Sequence, residues 1–211
     1  MRLAELWRYP VKSMAGERLQ RAWVSKTGVE GDRLVQVRDA AGRVLTARQY
    51  PSLLGLSGTL GADGEPRVNG RPWEATETTA AVRAATGVDA RLVRDDSLDR
   101  FDVLPLLVAT DGAIAALGVD GRRLRPNLVI GDVPGLAERS WEARTLRIGD
   151  VSIRLDSLRG RCVMTTFDSD TQVQDPNVLR RIVRHFGGRM ALNAAVLTEG
   201  WLTVGDAVEL D

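Results

Sequence analysis

A chain of 211 residues with 44% hydrophobic and 27% charged residues holds enough apolar material for one large domain or two small ones. Its formal net charge of +1 lacks the basic excess of a general nucleic-acid binder. A single cysteine, Cys162, and a single histidine, His185, exclude an intrachain disulfide, a cysteine-rich zinc or iron–sulfur site and a multi-histidine metal site.

The N-terminus, Met1 to Ser13, has no basic-then-apolar signal pattern. Leu3 to Tyr9 roughly alternates and predicts a strand, which Pro10 ends. Val11 to Gly16 is a loop that puts a cation, Lys12, beside a hydroxyl, Ser13. Only two of the 29 basic residues are lysines, Lys12 and Lys26, so an individual arginine carries little information here. Leu19 to Ser25 predicts a second strand. A turn at Gly28 to Asp32 leads through Arg33 into a strand over Leu34 to Arg38. Asp39 to Gly42 turns it into a hairpin with Val44 to Arg48. Leu53 to Leu60 reads as another short strand, followed by a turn at Gly61 to Gly64. Thr76 to Thr86 is alanine-rich and predicts a helix closed by Gly87. A strand over Ala90 to Arg94 precedes the charged segment Asp95 to Arg100, the expected boundary between two parts, 1–95 and 96–211.

In the second part, Leu106 to Thr110 is an apolar strand. Asp111 can cap a short helix to Leu117, ended by Gly118. Pro126, inside Arg125-Pro126-Asn127, marks a strand start or edge. Leu146 to Ile153 predicts a hairpin pivoting on Gly149-Asp150, and Leu202 to Leu210 predicts a second on Gly205-Asp206. Asp175-Pro176 opens the clearest helix, with an N-cap and a proline at its first position. Val178, Leu179, Ile182, Val183 and Phe186 make its apolar face, and Gly187-Gly188 ends it. The expected fold is α+β and predominantly β: two β-barrel-like parts with a few short helices. No apolar run is long enough to span a bilayer, so a soluble, cytoplasmic protein without membrane partners is expected.

The chemistry converges on Arg159-Gly160-Arg161-Cys162. Cations beside a sulfur favour thiolate over thiol, and a thiolate is a nucleophile, a redox group or a soft-metal ligand. The plain alternative is a small buried apolar residue, the commonest fate of a free cysteine. A Cys162–His185 pair could activate the thiol for hydrolysis, but nothing in the sequence brings the two together.

Five segments, in consistent order from Leu3 to Leu210, resemble one family. They are Tyr9-Pro10-Val11-Lys12-Ser13, Thr46-Ala47-Arg48-Gln49, Arg125-Pro126-Asn127, Arg161-Cys162 with Thr165-Thr166 and Asp168, and Val204-Gly205-Asp206. The pattern is similar to the MOSC family, named for the C-terminal domain of molybdenum cofactor sulfurase. Within it the pattern resembles the amidoxime-reducing branch, in which an N-terminal β-barrel domain precedes the MOSC domain. The resemblance implies a molybdenum cofactor (Mo-molybdopterin) between the two β-rich parts, with Cys162 as the catalytic thiolate ligand to the metal. It implies cofactor contacts from Lys12, Ser13, Arg33, Arg125, Asn127, Gly160, Arg161 and Asn193. Thr110 and Asp111 join them at a strand-to-helix junction, where N–H groups can meet an anion. Asp168 to Gln172 departs from the proline and glycine that relatives often place after the cysteine, and Met14-Ala15 from a more usual pair. The implied activity is reduction of small N-hydroxylated or related N–O substrates. Without cysteines for a cluster in this chain, the electrons are expected from a separate flavin or iron–sulfur protein. A non-enzymatic alternative is a cofactor-binding or sulfur-carrier protein using a Cys162 persulfide.

Overall fold

The computed structural model describes residues 1–211. Its largest element is an eight-stranded sheet. The strand order is Val208–Leu210, Thr145–Ile148, Val151–Gly160, Arg189–Thr198, Leu106–Thr110, Leu128–Gly131, Arg2–Arg8 and Glu17–Leu19. Every neighbouring pair is antiparallel except Leu106–Thr110 with Leu128–Gly131. That parallel pair needs a crossover, and the connection contains helix α2, Asp111–Leu117. The two N-terminal strands therefore complete a sheet whose other six come from the second half of the chain.

The fold is the expected mostly-β α+β type, but no sheet closes into a barrel. The large sheet curls until the residues leading into its edge strand Val208–Leu210 meet the start of the Arg2–Arg8 strand through a few backbone bonds. Leu3 N–H donates to Asp206 O at 2.9 Å, Gly205 N–H to Leu3 O at 2.8 Å, and Val208 N–H to Met1 O at 2.9 Å. Three small sheets of three strands each surround it. The helices α1 (Thr76–Thr86), α2 and α3 (Pro176–Phe186) stand where composition, caps and terminal glycines place them, each closed by a left-handed glycine.

Four predicted elements differ, the simplest being Val44–Arg48, of which only Val44–Leu45 is strand. Leu53–Leu60 is not one strand: Pro51–Gly55 forms a tight turn of 3₁₀ helix that buries the consecutive Leu53 and Leu54, which a strand would point to opposite faces. The strand Gly58–Leu60 follows it. Leu19–Ser25 breaks at Gln20, because Glu17–Leu19 pairs with the first strand and Arg21–Ser25 with Gly200–Thr203. Gly205-Asp206 makes a turn, with Thr203 N–H donating to Asp206 Oδ2 at 2.7 Å, but no hairpin. The flanking strands part there, Gly200–Thr203 toward Arg21–Ser25 and Val208–Leu210 toward Thr145–Ile148.

Separate apolar cores hold the two sides of the site. Leu3, Leu6, Val108, Ile130, Ile153 and Leu192 pack inside the large sheet. Val11, Met14, Val35, Val37 and Leu53 pack with Val82 of α1. An 11-residue helix such as α3 is marginal alone. Burial of Val178, Ile182 and Phe186, at roughly 1.5–3 kcal/mol each, fixes it against α2. The Asp175 cap on Asn177 N–H adds about 1 kcal/mol.

Candidate functional site

A cleft opens where the early loops face the second half of the chain. Lys12, Ser13, Arg33, Arg125, Asn127, Gly160, Arg161, Cys162 and Asn193 all line it. Nine residues scattered between positions 12 and 193 of the sequence thus share one space.

Each is brought there by its local fold. Val11 and Met14 are fully buried and Lys12 N–H donates to Val35 O at 2.8 Å; these anchors leave Lys12 and Ser13 facing the cleft. The strand Val151–Gly160 delivers the cysteine. Its register against Arg189–Thr198 shifts between Leu155 and Ser157 and again between Leu158 and Gly160. Such bulges re-aim side chains, and strict burial alternation ends at the same place. Cys162 follows, half-buried, and the 3₁₀ turn Val163–Thr166 carries the chain away. The small-buried-hydrophobe reading of Cys162 is set aside by this exposure to a polar cleft.

Ser13, Arg33 and Arg125 have φ of 73°, 55° and 55°. Left-handed backbone costs a non-glycine residue about 1–2 kcal/mol, and such strain gathers where function fixes geometry. Around Arg33 the bonds are dense. Fully buried Asp32 pairs with the Arg33 guanidinium and accepts Tyr9 N–H at 2.7 Å. Asn127 donates to Asp32 Oδ2 at 3.2 Å and to Trp7 O at 3.3 Å, while its Oδ1 accepts Leu107 N–H at 3.1 Å. Both amide protons of Asn127 are thereby occupied, so it braces the site from behind.

Seven cations line the cleft: Lys12, Arg33, Arg48, Arg123, Arg125, Arg159 and Arg161. One carboxylate, Asp102, lines the cleft with them, while Asp32 and Asp168 pair with Arg33 and Arg123 from outside it. Asp102 lies 3.0 Å from Lys12 Nζ and 2.9 Å from Arg159, and Arg159 also donates to Asn193 Oδ1 at 3.1 Å. Burial pushes the Asp102 carboxyl up, but Lys12, Arg159 and Arg33 outweigh it and hold it below the usual range. The Arg125 guanidinium stacks 4.3 Å over the Tyr9 ring and donates no hydrogen bond. Burial lowers it to about 10, so it is still a cation at neutral pH. Burial lowers Arg161 to about 10 as well, offset in part by Cys162. Arg161 donates to Leu124 O at 2.7 Å, and its Nε is buried without a partner. Cations left without counter-ions around one sulfur suit an anionic ligand carrying several acceptors.

Thr110 and Asp111 do not belong to this group. Thr110 is fully buried. It bonds Glu138 and, rather than Asp111, caps α2 by accepting Ala113 N–H at 3.2 Å. Asp111 accepts the N–H groups of Gly112, Asp132 and Val133, which closes that turn to an outside anion. His185 is exposed at the end of α3 and does not line the cleft. Sequence reasoning missed Asp102, Arg123 and Arg48 as lining residues. Arg48 sits in the quoted Thr46–Gln49 segment. Asp102 follows the charged boundary segment, which buried Arg100 fixes by donating to the carbonyls of Asp96, Ser97 and Asp32. Arg123 had no signal among so many arginines.

No cluster of three or more histidine, cysteine or acidic side chains can hold a bare metal ion. The donor set fits a metal that brings its other ligands with it. Cys162 offers one soft donor, and Arg125 and the orphaned Arg161 Nε offer donors to a phosphorylated organic group.

Comparison with known proteins agrees with this architecture. Residues 1–104 match the family model of the MOSC N-terminal beta barrel domain, and residues 108–209 that of the MOSC domain. The human mitochondrial amidoxime-reducing component 1 is 28% identical over 231 residues, covering 81% of this chain and 67% of the relative. The Macaca fascicularis mitochondrial amidoxime reducing component 2 is 27% identical, covering 82% and 68%. In fold, the crystal structure of the YUAD protein from Bacillus subtilis is similar, with a TM-score of 0.54 at 13% identity over 99% of this chain and 94% of that one. With the two models matching nearly its whole length in order, the chain belongs to the MOSC family, with the N-terminal MOSC domain followed by the MOSC domain.

Proposed function

We propose that this protein binds the molybdenum cofactor in the cation-lined cleft, with Cys162 as the protein's ligand to the metal, and reduces small N-hydroxylated or related N–O compounds. The observation that carries this reading is the placement of the only cysteine on the wall of a cleft with seven cations and one carboxylate. The names of the relatives, amidoxime-reducing components, support the substrate class. Lys12, Arg33, Arg125 and Arg161 would hold the cofactor's phosphate and polar edge, with Ser13 as a further donor or acceptor. When bound, the cofactor supplies the redox centre. The net reaction takes two electrons from a separate flavin or iron–sulfur protein and two protons from water. It converts N–OH to N–H and releases the oxygen as water.

The test is molybdenum content by elemental mass spectrometry, on wild type and Cys162→Ala purified from a cofactor-making host. Near-stoichiometric metal in wild type and none in the variant is expected, followed by amidoxime turnover with a reducing partner. A persulfide on Cys162 without metal, in a host shown to load another molybdoenzyme, would overturn the reading in favour of a sulfur carrier.

A further inference from the structure

A second pocket adjoins the cleft, and none of the roles above uses it. Trp7, Tyr9, Leu54, Met164 and Phe167 give it an apolar, largely aromatic lining. Arg123, Arg125 and Met164 line both spaces, so pocket and cleft share a wall two residues beyond Cys162. Gly16 keeps the Tyr9 side open, since a Cβ there would lie 2.4 Å from the Tyr9 ring and from Arg8 O.

The three arginines of the pocket are not equivalent. Arg122 is held by Asp120 and Asp170, both at 2.6 Å. Arg123 donates to Thr166 O and Asp168 at 2.9 Å, but its buried Nε has no partner. Arg125 lines both spaces and its guanidinium has no acceptor at all, only the Tyr9 face, so of its five N–H groups one edge can serve the cofactor proposed above and the other a second anion in the pocket. A planar cation stacked on a ring, with free N–H groups, suits a carboxylate carried on an aromatic body. The neighbouring rings supply edge and face contacts for that body.

We infer that this pocket selects the substrate: it takes the aromatic, carboxylate-bearing part of an N–O compound whose reactive group passes Met164 into the cleft beside Cys162. The inference rests on the proposed reductase reading for its second half, and the pocket itself can be tested without turnover. Ser169 lines only the side pocket, is half-buried, and makes no side-chain hydrogen bond. Ser169→Trp blocks the space, and Ser169→Leu is a smaller block should the indole disturb folding.

The first readout is calorimetric titration with 2-naphthoate, an aromatic carboxylate with no N–O group. Wild type is expected to bind it and both variants to bind at least tenfold more weakly. No binding, or equal binding in all three, overturns the pocket. The second readout uses metal-loaded protein with a para-carboxylated benzamidoxime and with hydroxylamine. For the aryl substrate, kcat/KM is expected to fall at least tenfold through KM, with hydroxylamine turnover and molybdenum content unchanged. Loss of molybdenum in the variants would instead make the pocket part of the cofactor seat and overturn the inference. Metal-loaded wild type that reduces neither compound defeats the reductase reading, while the naphthoate titration still decides the pocket.

Discussion

Asn127 separates a brace from a contact, and Asn127→Leu tests which it is. The side chain is fully buried and makes three bonds, to Leu107 N–H, Trp7 O and Asp32 Oδ2. Leucine has similar volume and none of these groups. It leaves Leu107 N–H as an orphaned, partly buried donor, at about 1–3 kcal/mol, and removes a bond to the charged Asp32, at about 1.5–3 kcal/mol. Trp7 O loses its side-chain donor too, and the two terms sum to about 2.5–6 kcal/mol. For a chain of this size each kcal/mol lowers Tm by about 2–4 °C, so a fall of about 5–24 °C is expected in a thermal melt. Asn127→Asp should fare worse near neutral pH, because it places a second carboxylate against Asp32. Molybdenum would be lost only in proportion to the loosened Asp32–Arg33 pair. A variant melting within about 2 °C of wild type, yet devoid of metal, would refute the bracing role and make Asn127 a direct contact.

What the sequence made legible depended on how local the cause was. The bounds of helix α3 were readable because cap, proline, apolar stripe and terminal glycine all lie within the segment itself, although Val183, expected on the apolar face, is exposed. The hairpin at Gly149 was readable for the same reason. The turn at Gly205 has the same composition, but its flanking strands are claimed by Arg21–Ser25 and Thr145–Ile148, partners no local pattern names. The site divides in the same way. Lys12, Arg125 and Cys162 stood out by motif, and the fold brings them together. Thr110 and Asp111 stood at a suitable junction, but Glu138 and the N–H groups of Gly112, Asp132 and Val133 occupy them. Apart from Gly112, these partners lie 21 to 28 residues away along the chain. Asp102 went unseen because its meaning lies in Lys12 and Arg159, which are distant neighbours along the chain.

Three further outcomes are expected. Burial raises the Glu138 carboxyl above its ordinary range, against the Thr110 hydroxyl that donates to it. Its contribution to stability is therefore present below the unfolded carboxyl's pKa and is lost as pH rises through the elevated folded value. Glu138→Gln keeps an acceptor for Thr110 without charge, so it should melt higher than wild type at pH 7, with the gain vanishing under acid conditions. A constant difference across pH would sink that account. Asp102 shows the opposite sign: its depressed carboxyl contributes above the ordinary pKa and loses that contribution on acidification. Because Asp102 is exposed, Asp102→Asn should change stability by less than about 1 kcal/mol. It frees Lys12 and Arg159, so calorimetry with inorganic phosphate at low salt should show tighter binding; unchanged or weaker binding counts against the cleft as an anion site. Gly112→Ala sets two effects against each other. Alanine in a helix gains about 1 kcal/mol over glycine. Here its Cβ would lie 2.2 Å from Val133 O and 2.6 Å from Gly135 O. Both are backbone atoms, so neither can swing aside as a side chain would. Overpacking of this kind costs about 1–3 kcal/mol or more, and at 2.2 Å the upper end applies. Sterics should win, and the variant should melt below wild type; a higher Tm would mean that the loop from Asp132 to Gly135 yields freely.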